Sequence, residues 1–377
     1  MNPLKKLHQH GQSVWYDNID RAMLTGGALQ RMVDEEGVRG VTSNPSIFQA
    51  AISGSSDYDQ SIASMLKENP TLSPRSLFFE LAIEDIRAAA DVLRPIYDES
   101  GGVDGMVSLE VSPDLAYDTS GTIEEARDLW RRLDRPNVMI KVPGTAEGIP
   151  AFETLTADGI NVNVTLLFSV ERYQECVEAY LSGLEKRVVQ GRPIEHIASV
   201  ASFFISRVDV AVDSALTDCE DQATASPLQG KIAIANAKLA YQFYEGVVNS
   251  ERFSVLGEAG AHLQRLLWAS TGTKNAAYSD VLYVETLIGK DTVNTMPPAT
   301  YQNFLHHGIV ATTLADDVDS AGEQVSAVSG LGVDLDAITE TLEEQGVSSF
   351  EQAFTTLLEV IDTKAHDLVA RSVRKTG

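Results

Sequence analysis

Lys141 lies between two branched apolar residues, in Ile140-Lys141-Val142, and of all residues in the chain its surroundings point most directly to covalent chemistry. Partial burial disfavours an ammonium, so such a lysine is expected to spend part of its time as a neutral amine. A neutral amine can attack a carbonyl carbon and condense to a Schiff base. A lone strand lysine is more often half of a structural ion pair. The presence of Asp17 and Glu110 on the equivalent face of their own strands reverses that weighting. Carboxyl groups beside such an amine can move the protons that form and hydrolyse a Schiff base, and can take a hydroxyl proton during C–C cleavage. The plainer alternative is an ion-pair network that only holds a barrel together.

Further polar groups sit at strand ends. A period of two puts Asn161, Asn163 and Thr165 on one face of their run and Val162 and Val164 on the other. Ser108 accompanies Glu110 by the same rule, and Ser202 and Ser270 occupy similar places in later runs. Asn44, in Thr42-Ser43-Asn44-Pro45-Ser46, reads first as a helix N-cap with Pro45 at the first helical position. Arg207 follows Ser202 and Phe204 where a helix opens, and Lys274 follows Ala269-Ser270-Thr271-Gly272-Thr273. Both could bind phosphate with help from backbone N–H groups. Taken singly, each is better read as a surface cation on an acidic protein.

The elements that must position these groups are eight strand-like runs, at residues 13–17, 38–42, 106–111, 138–142, 161–165, 199–204, 265–270 and 292–295. Helical patterns separate them. Ser73-Pro74 opens one through Leu93, and Thr122 and Glu125 have capping-box spacing ahead of 126–133. Ser169 caps a helix ending near Gly191. Ser226-Pro227 precedes a periodic stretch to about Asn249. After Pro298 the sequence reads helical almost to its end, with breaks around Gly308, 330–332 and Gly346.

Strands alternating with helices predict a parallel sheet, and eight such units can close into a (β/α)8 barrel. The expected organisation is a single barrel domain over 1–377, with helical insertions after strands two and six and extra C-terminal helices. A doubly wound open sheet is the rival, weakened by the lack of a GxGxxG fingerprint. In a closed barrel the polar strand ends converge on the C-terminal mouth. Packing alone would not gather Asp, Glu, Lys and Asn there, because each unpaired buried group costs several kcal/mol.

The chain has 377 residues, 44% of them hydrophobic, and its 29 basic against 54 acidic residues leave a net charge of −25. That field disfavours nucleic acid and anionic membranes as partners, and an anionic substrate would need a local basic pocket. Cys176 and Cys219 can neither frame a disulfide fold nor form a CxxC zinc pair. No HExxH or EF-hand pattern occurs and His306-His307 are adjacent, so neither metal nor cofactor is expected. Trp15, Trp130 and Trp268 read as core or wall. The polar opening MNPLKKLHQHGQSVWYD and the lack of a long apolar run predict a cytoplasmic protein without a membrane span.

Three segments resemble the transaldolase family: Gly40-Val41-Thr42-Ser43-Asn44-Pro45-Ser46, Asn137-Val138-Met139-Ile140-Lys141-Val142-Pro143 and Asn161-Val162-Asn163-Val164-Thr165-Leu166-Leu167-Phe168-Ser169. The similarity runs from about Asp17 to about Thr300, and the length resembles the longer bacterial branch. It implies an α/β fold, a (β/α)8 TIM barrel of the class I (Schiff-base) aldolase type. The implied activity is reversible transfer of a dihydroxyacetone unit from sedoheptulose 7-phosphate to glyceraldehyde 3-phosphate. Its products are erythrose 4-phosphate and fructose 6-phosphate, in the non-oxidative pentose phosphate pathway. Sugar phosphates are then the small-molecule partners, no cofactor is needed, and a homo-oligomer stays open.

Residue by residue, the resemblance implies that Lys141 forms the Schiff base and Asp17 serves as acid and base at the C4 hydroxyl. Glu110 would activate a water held partly by Thr165. Thr42, Asn44, Asn163 and Ser202 would meet the donor's hydroxyls, with Phe204 in the same substrate-binding set. Arg207 and Ser270 would hold phosphate. Shorter relatives carry an arginine two residues after Ser270, where this chain has Gly272, and Lys274 is the candidate replacement. The nearest alternative is a lyase of the fructose-6-phosphate aldolase type, against which Glu110 and Phe204 weigh. An inactive acidic barrel acting as a scaffold is disfavoured by the retained Asp17, Glu110 and Lys141. A metal-dependent aldolase is disfavoured by the lack of clustered histidines.

Overall fold

The register of three adjacent strands already places the chemistry. Glu110 pairs with Lys141, and Lys141 pairs with Asn163. Residues paired across a parallel ladder point to the same face, so these three polar side chains form one row. Their neighbours Leu109, Ile140 and Val162 form the alternate, fully apolar row.

The computed structural model describes residues 2–376. All eight runs are strands: β1 Gln12–Tyr16, β2 Gly40–Val41, β3 Met106–Glu110, β4 Val138–Pro143, β5 Val162–Leu167, β6 Ser199–Phe204, β7 Gln264–Ala269 and β8 Thr292–Met296. They close in chain order into a parallel barrel, which excludes the open doubly wound sheet. β2 is only two residues long, and the Trp15 ring lies directly against its Gly40. A Cβ on Gly40 would lie 2.5 Å from the Trp15 ring, so glycine is required for that close approach. Asp17 falls just beyond β1, held by its N–H to the Met296 carbonyl at 2.9 Å.

The N-terminal end of the barrel is closed by an ion pair. Arg265 lies 3.0 Å from Asp104, and Ser13 bridges them, donating to Asp104 at 2.6 Å and accepting from Arg265 at 2.9 Å. The Trp15 indole N–H donates to the same carboxylate. Charges at this end serve stability, since barrel chemistry belongs to the opposite mouth.

Several helix expectations need correction. Ser73 caps the helix Pro74–Glu99 as expected, but the helix continues past Leu93 with Pro95 inside it. Its last turn is held by close backbone contact at Gly105, where a Cβ would lie 2.4 Å from the Tyr97 nitrogen. The capping box at Thr122 is overturned. Asp118 caps the helix Thr119–Leu133, accepting from the Gly121 N–H at 3.0 Å, and Thr122 lies inside it. Glu125 instead binds the backbone and hydroxyl of Ser112. After Ser226-Pro227 the chain makes a short 3-10 turn, and the long helix begins only at Ile232 and ends at Val248. Ser169 does cap Val170–Val189.

Near the C-terminus, Pro298–His307 and Val318–Gly330 end as expected, but Leu335–Thr376 passes through Gly346 without a break. A helix interior tolerates glycine at a cost of about 1 kcal/mol. Here the bare Cα lets the helix settle on the barrel, since a Cβ would lie 2.9 Å from Leu166. Among the described residues no helix is long and apolar enough to cross a membrane.

Candidate active site at the barrel mouth

β4 carries Lys141 inward, where its side chain is 6% exposed. Its Nζ lies 3.6 Å from Glu110 Oε2 and donates to the Ser43 carbonyl at 3.4 Å. That carbonyl comes within reach because Asn44 turns the chain from β2 into the helix Pro45–Ser53, capping the Ile47 N–H at 3.0 Å. The capping role expected of Asn44 is therefore present, and Asn44 also lines the cavity.

Both acids are electrostatically coupled to the lysine. Burial pushes the Glu110 carboxyl up to about 7, against the downward pull of Lys141. Burial also raises Asp17, with Lys141 and the Thr42 hydroxyl opposing it. Thr42 Oγ1 donates to Asp17 at 2.6 Å and lies 2.6 Å from the Thr295 hydroxyl. Behind them, Ser202 donates to Asn163 at 2.7 Å, and Asn163 donates to Ser108 at 3.1 Å. This chain fixes the Asn163 amide. Among the described residues, the buried oxygens without a close hydrogen-bond partner include two at this site, Thr165 Oγ1 and Glu110 Oε2, the latter facing only the lysine. Such orphans cost about 1–3 kcal/mol each, which marks a place suited to a polar guest.

A second group flanks the mouth. Arg207, in the helix Ser206–Thr217, has its guanidinium 5.3 Å from the centre of the Phe204 ring. Burial disfavours its charge, and among the described residues no carboxylate pairs with it. Ser270 takes φ 56°, an unusual left-handed conformation for serine, immediately after β7. Its hydroxyl lies 2.9 Å from that of Ser206, and its carbonyl accepts the Ser206 N–H at 3.1 Å. Lys274 is exposed at the cavity's edge.

One cavity of about 170 Å³ joins the two groups. It is lined by Asp17, Thr42, Asn44, Lys141, Thr165, Ser202, Phe204, Arg207, Ser270 and Lys274. Glu110 and Asn163, also expected from the sequence, do not line it but touch Lys141 and Ser202 from behind. The liners outside the expected site residues include Thr295, Pro297 and Phe350. Thr295 had a usable signal, a hydroxyl at the end of a strand. Phe350 had none, because it belongs to a distant helix that only folding brings over the mouth.

An eight-stranded parallel barrel with a lysine inside it, among carboxyl groups at the C-terminal mouth, is the architecture of an aldolase-type (β/α)8 barrel. The chain matches the Transaldolase/Fructose-6-phosphate aldolase family over residues 14–361, and it belongs to that family. It is 49% identical to a transaldolase of Thiobacillus denitrificans, covering 95% of this chain and 99% of the relative. It is 44% identical to transaldolase 2 of Nostoc punctiforme, covering 96% and 97%. It is 46% identical to transaldolase 1 of Streptomyces avermitilis, covering 96% and 95%.

Proposed function

We propose that this protein is a transaldolase that moves a dihydroxyacetone unit between sugar phosphates through a Schiff base on Lys141. The observation that carries the reading is the buried contact of 3.6 Å between Lys141 and Glu110 inside the mouth. A group that titrates near neutral pH can both take and return a proton under working conditions.

The amine of Lys141 attacks the donor's C2 carbonyl after its ammonium proton passes to Glu110. The carbinolamine then loses water, with Glu110 supplying the proton and Thr165 Oγ1 holding the water. The resulting iminium draws electrons from the C3–C4 bond. Asp17 takes the C4 hydroxyl proton, that bond breaks, and an aldose phosphate departs. The enamine left on Lys141 adds through C3 to an incoming aldehyde, and the same steps in reverse release the new ketose phosphate.

Thr42, Asn44 and Ser202 meet the donor's hydroxyls in this reading, and Asn163 orients Ser202 from behind. Arg207, Ser270 and Lys274 hold the phosphate, and Phe204 supports the guanidinium from below. Arg207 and Lys274 supply the local positive field that an anionic substrate needs against a net charge of −25. The test is reduction with borohydride in the presence of fructose 6-phosphate, followed by peptide mass analysis. A reduced three-carbon adduct is expected on the peptide holding Lys141. An adduct on another lysine, or none, removes the assignment.

A further inference from the structure

We propose that Phe350 determines what the three-carbon enamine on Lys141 reacts with, by shielding it from water until an aldehyde arrives. The proposal rests on the Schiff-base reading of Lys141 and extends it to a residue outside the barrel strands.

The helix Leu335–Thr376 lies across the mouth and is fastened on both sides. Glu343 meets Arg172 at 3.2 Å, next to the end of β5. Lys364 meets Asp59 at 3.0 Å and donates to the Ser55 carbonyl at 2.8 Å, next to the helices that follow β2. At 1.5 Å per residue these two fastenings stand about 30 Å apart, enough to bridge the barrel. Between them Val347, Phe350, Phe354, Leu357 and Ile361 are buried in one stripe of helical period. Phe354 packs edge-on against Phe78 with ring centres 5.5 Å apart, which fixes the helix's rotation one turn beyond Phe350. Gly346, one turn before it, allows the close approach to Leu166.

Held in this way, the Phe350 ring lies 5.8 Å from Lys141 Nζ and forms part of the cavity wall. An aromatic face within about 6 Å favours a cation, so it suits the ammonium and the iminium. The same ring occupies space from which water would otherwise reach the enamine. Water has a specific effect here. If C3 of the enamine takes a proton instead of an aldehyde carbon, the iminium re-forms. Water then adds at C2, the C–N bond breaks, and free dihydroxyacetone and the lysine amine are released. A transferase must suppress this branch, whereas a lyase depends on it.

The experiment measures free dihydroxyacetone formed from fructose 6-phosphate against dihydroxyacetone transferred to glyceraldehyde 3-phosphate. Phe350→Leu keeps the apolar character but loses the ring, and is expected to raise the ratio of release to transfer about tenfold. Phe350→Met keeps more of the apolar volume while losing the ring, is expected to shift the ratio the same way, and decides the matter if the first variant does not fold. Borohydride trapping on each variant reports the Schiff base separately. An unchanged ratio in the folded variants, with Lys141 still labelled, overturns the role of Phe350. Failure to label Lys141 in the unmodified protein overturns the reading beneath it.

Discussion

Lys141 Nζ and Glu110 Oε2 face each other at 3.6 Å, and both side chains are more than nine-tenths buried. A lysine kept only for structure would saturate its three donors with short bonds, because a buried charge without good partners is costly. Here, among the described residues, the polar contacts of Lys141 are this carboxylate at 3.6 Å and one carbonyl at 3.4 Å, both longer than a good charge-assisted hydrogen bond. The pair is held close but loosely, which suits an amine that must leave it to meet a carbonyl.

Lys141→Met removes the nucleophile and should abolish transfer and borohydride labelling. Breaking a buried pair usually costs about 3–5 kcal/mol, because the remaining charge is stranded. Glu110 escapes most of that cost by binding a proton, and losing Lys141 removes the positive charge that holds its pKa down. The variant should therefore stay folded at pH 6, checked by circular dichroism, and lose stability relative to the parent only at higher pH. A melt equally depressed at pH 6 would contradict this.

Glu110 predicts a pH dependence of known sign. Its carboxyl titrates near 7 when folded, above the ordinary 4.5. Between those values the native state keeps a proton that the unfolded chain has lost. Stability from this group is therefore fully present below about pH 4.5 and declines as pH rises through 7, by about 3 kcal/mol at most. Glu110→Gln should flatten that slope in denaturant titrations from pH 5 to 8. It should also lower kcat by about 10²–10⁴-fold and erase the rate limb near pH 7.

Arg207→Ala should raise KM for fructose 6-phosphate by about 10–100-fold, as loss of a charge-assisted contact does, and affect an unphosphorylated donor little. Lys274→Ala, at an exposed site, should give a smaller effect that fades with added salt. Steady-state kinetics with paired donors separates the two. Equal losses with both donors would remove phosphate binding from Arg207.

Arg265→Leu tests the opposite end of the barrel. It strands the Asp104 carboxylate among buried groups, and should destabilise the fold by about 3–5 kcal/mol in chemical denaturation. Molecules that remain folded should still be labelled on Lys141, since the substitution lies at the closed end.

The strand count and the inward faces were readable because they depend on local rules. A period of two in Asn161–Thr165 and 138–142 needs no distant partner, and short motifs around Asn44 and Lys141 carry the family likeness. Some local signals misled for a physical reason. Thr122 and Glu125 have the spacing of a capping box, yet Asp118 lies four residues earlier and takes the cap, freeing Glu125 for Ser112. Gly346 reads as a break until the surface beneath it is known, and there the missing side chain is what allows contact with Leu166.

By itself the sequence determined which residues carry reactive groups, which face of each strand they occupy, and that eight parallel units alternate with helices. Tertiary structure alone decided that Glu110 opposes Lys141 at one level of the barrel, that Asp17 shares a hydroxyl network with Thr295, and that Phe350 roofs the amine. The reason is range: alternation along a strand is set by neighbouring peptide geometry, whereas closure, register and the path of the last helix are set by packing between segments far apart in the chain.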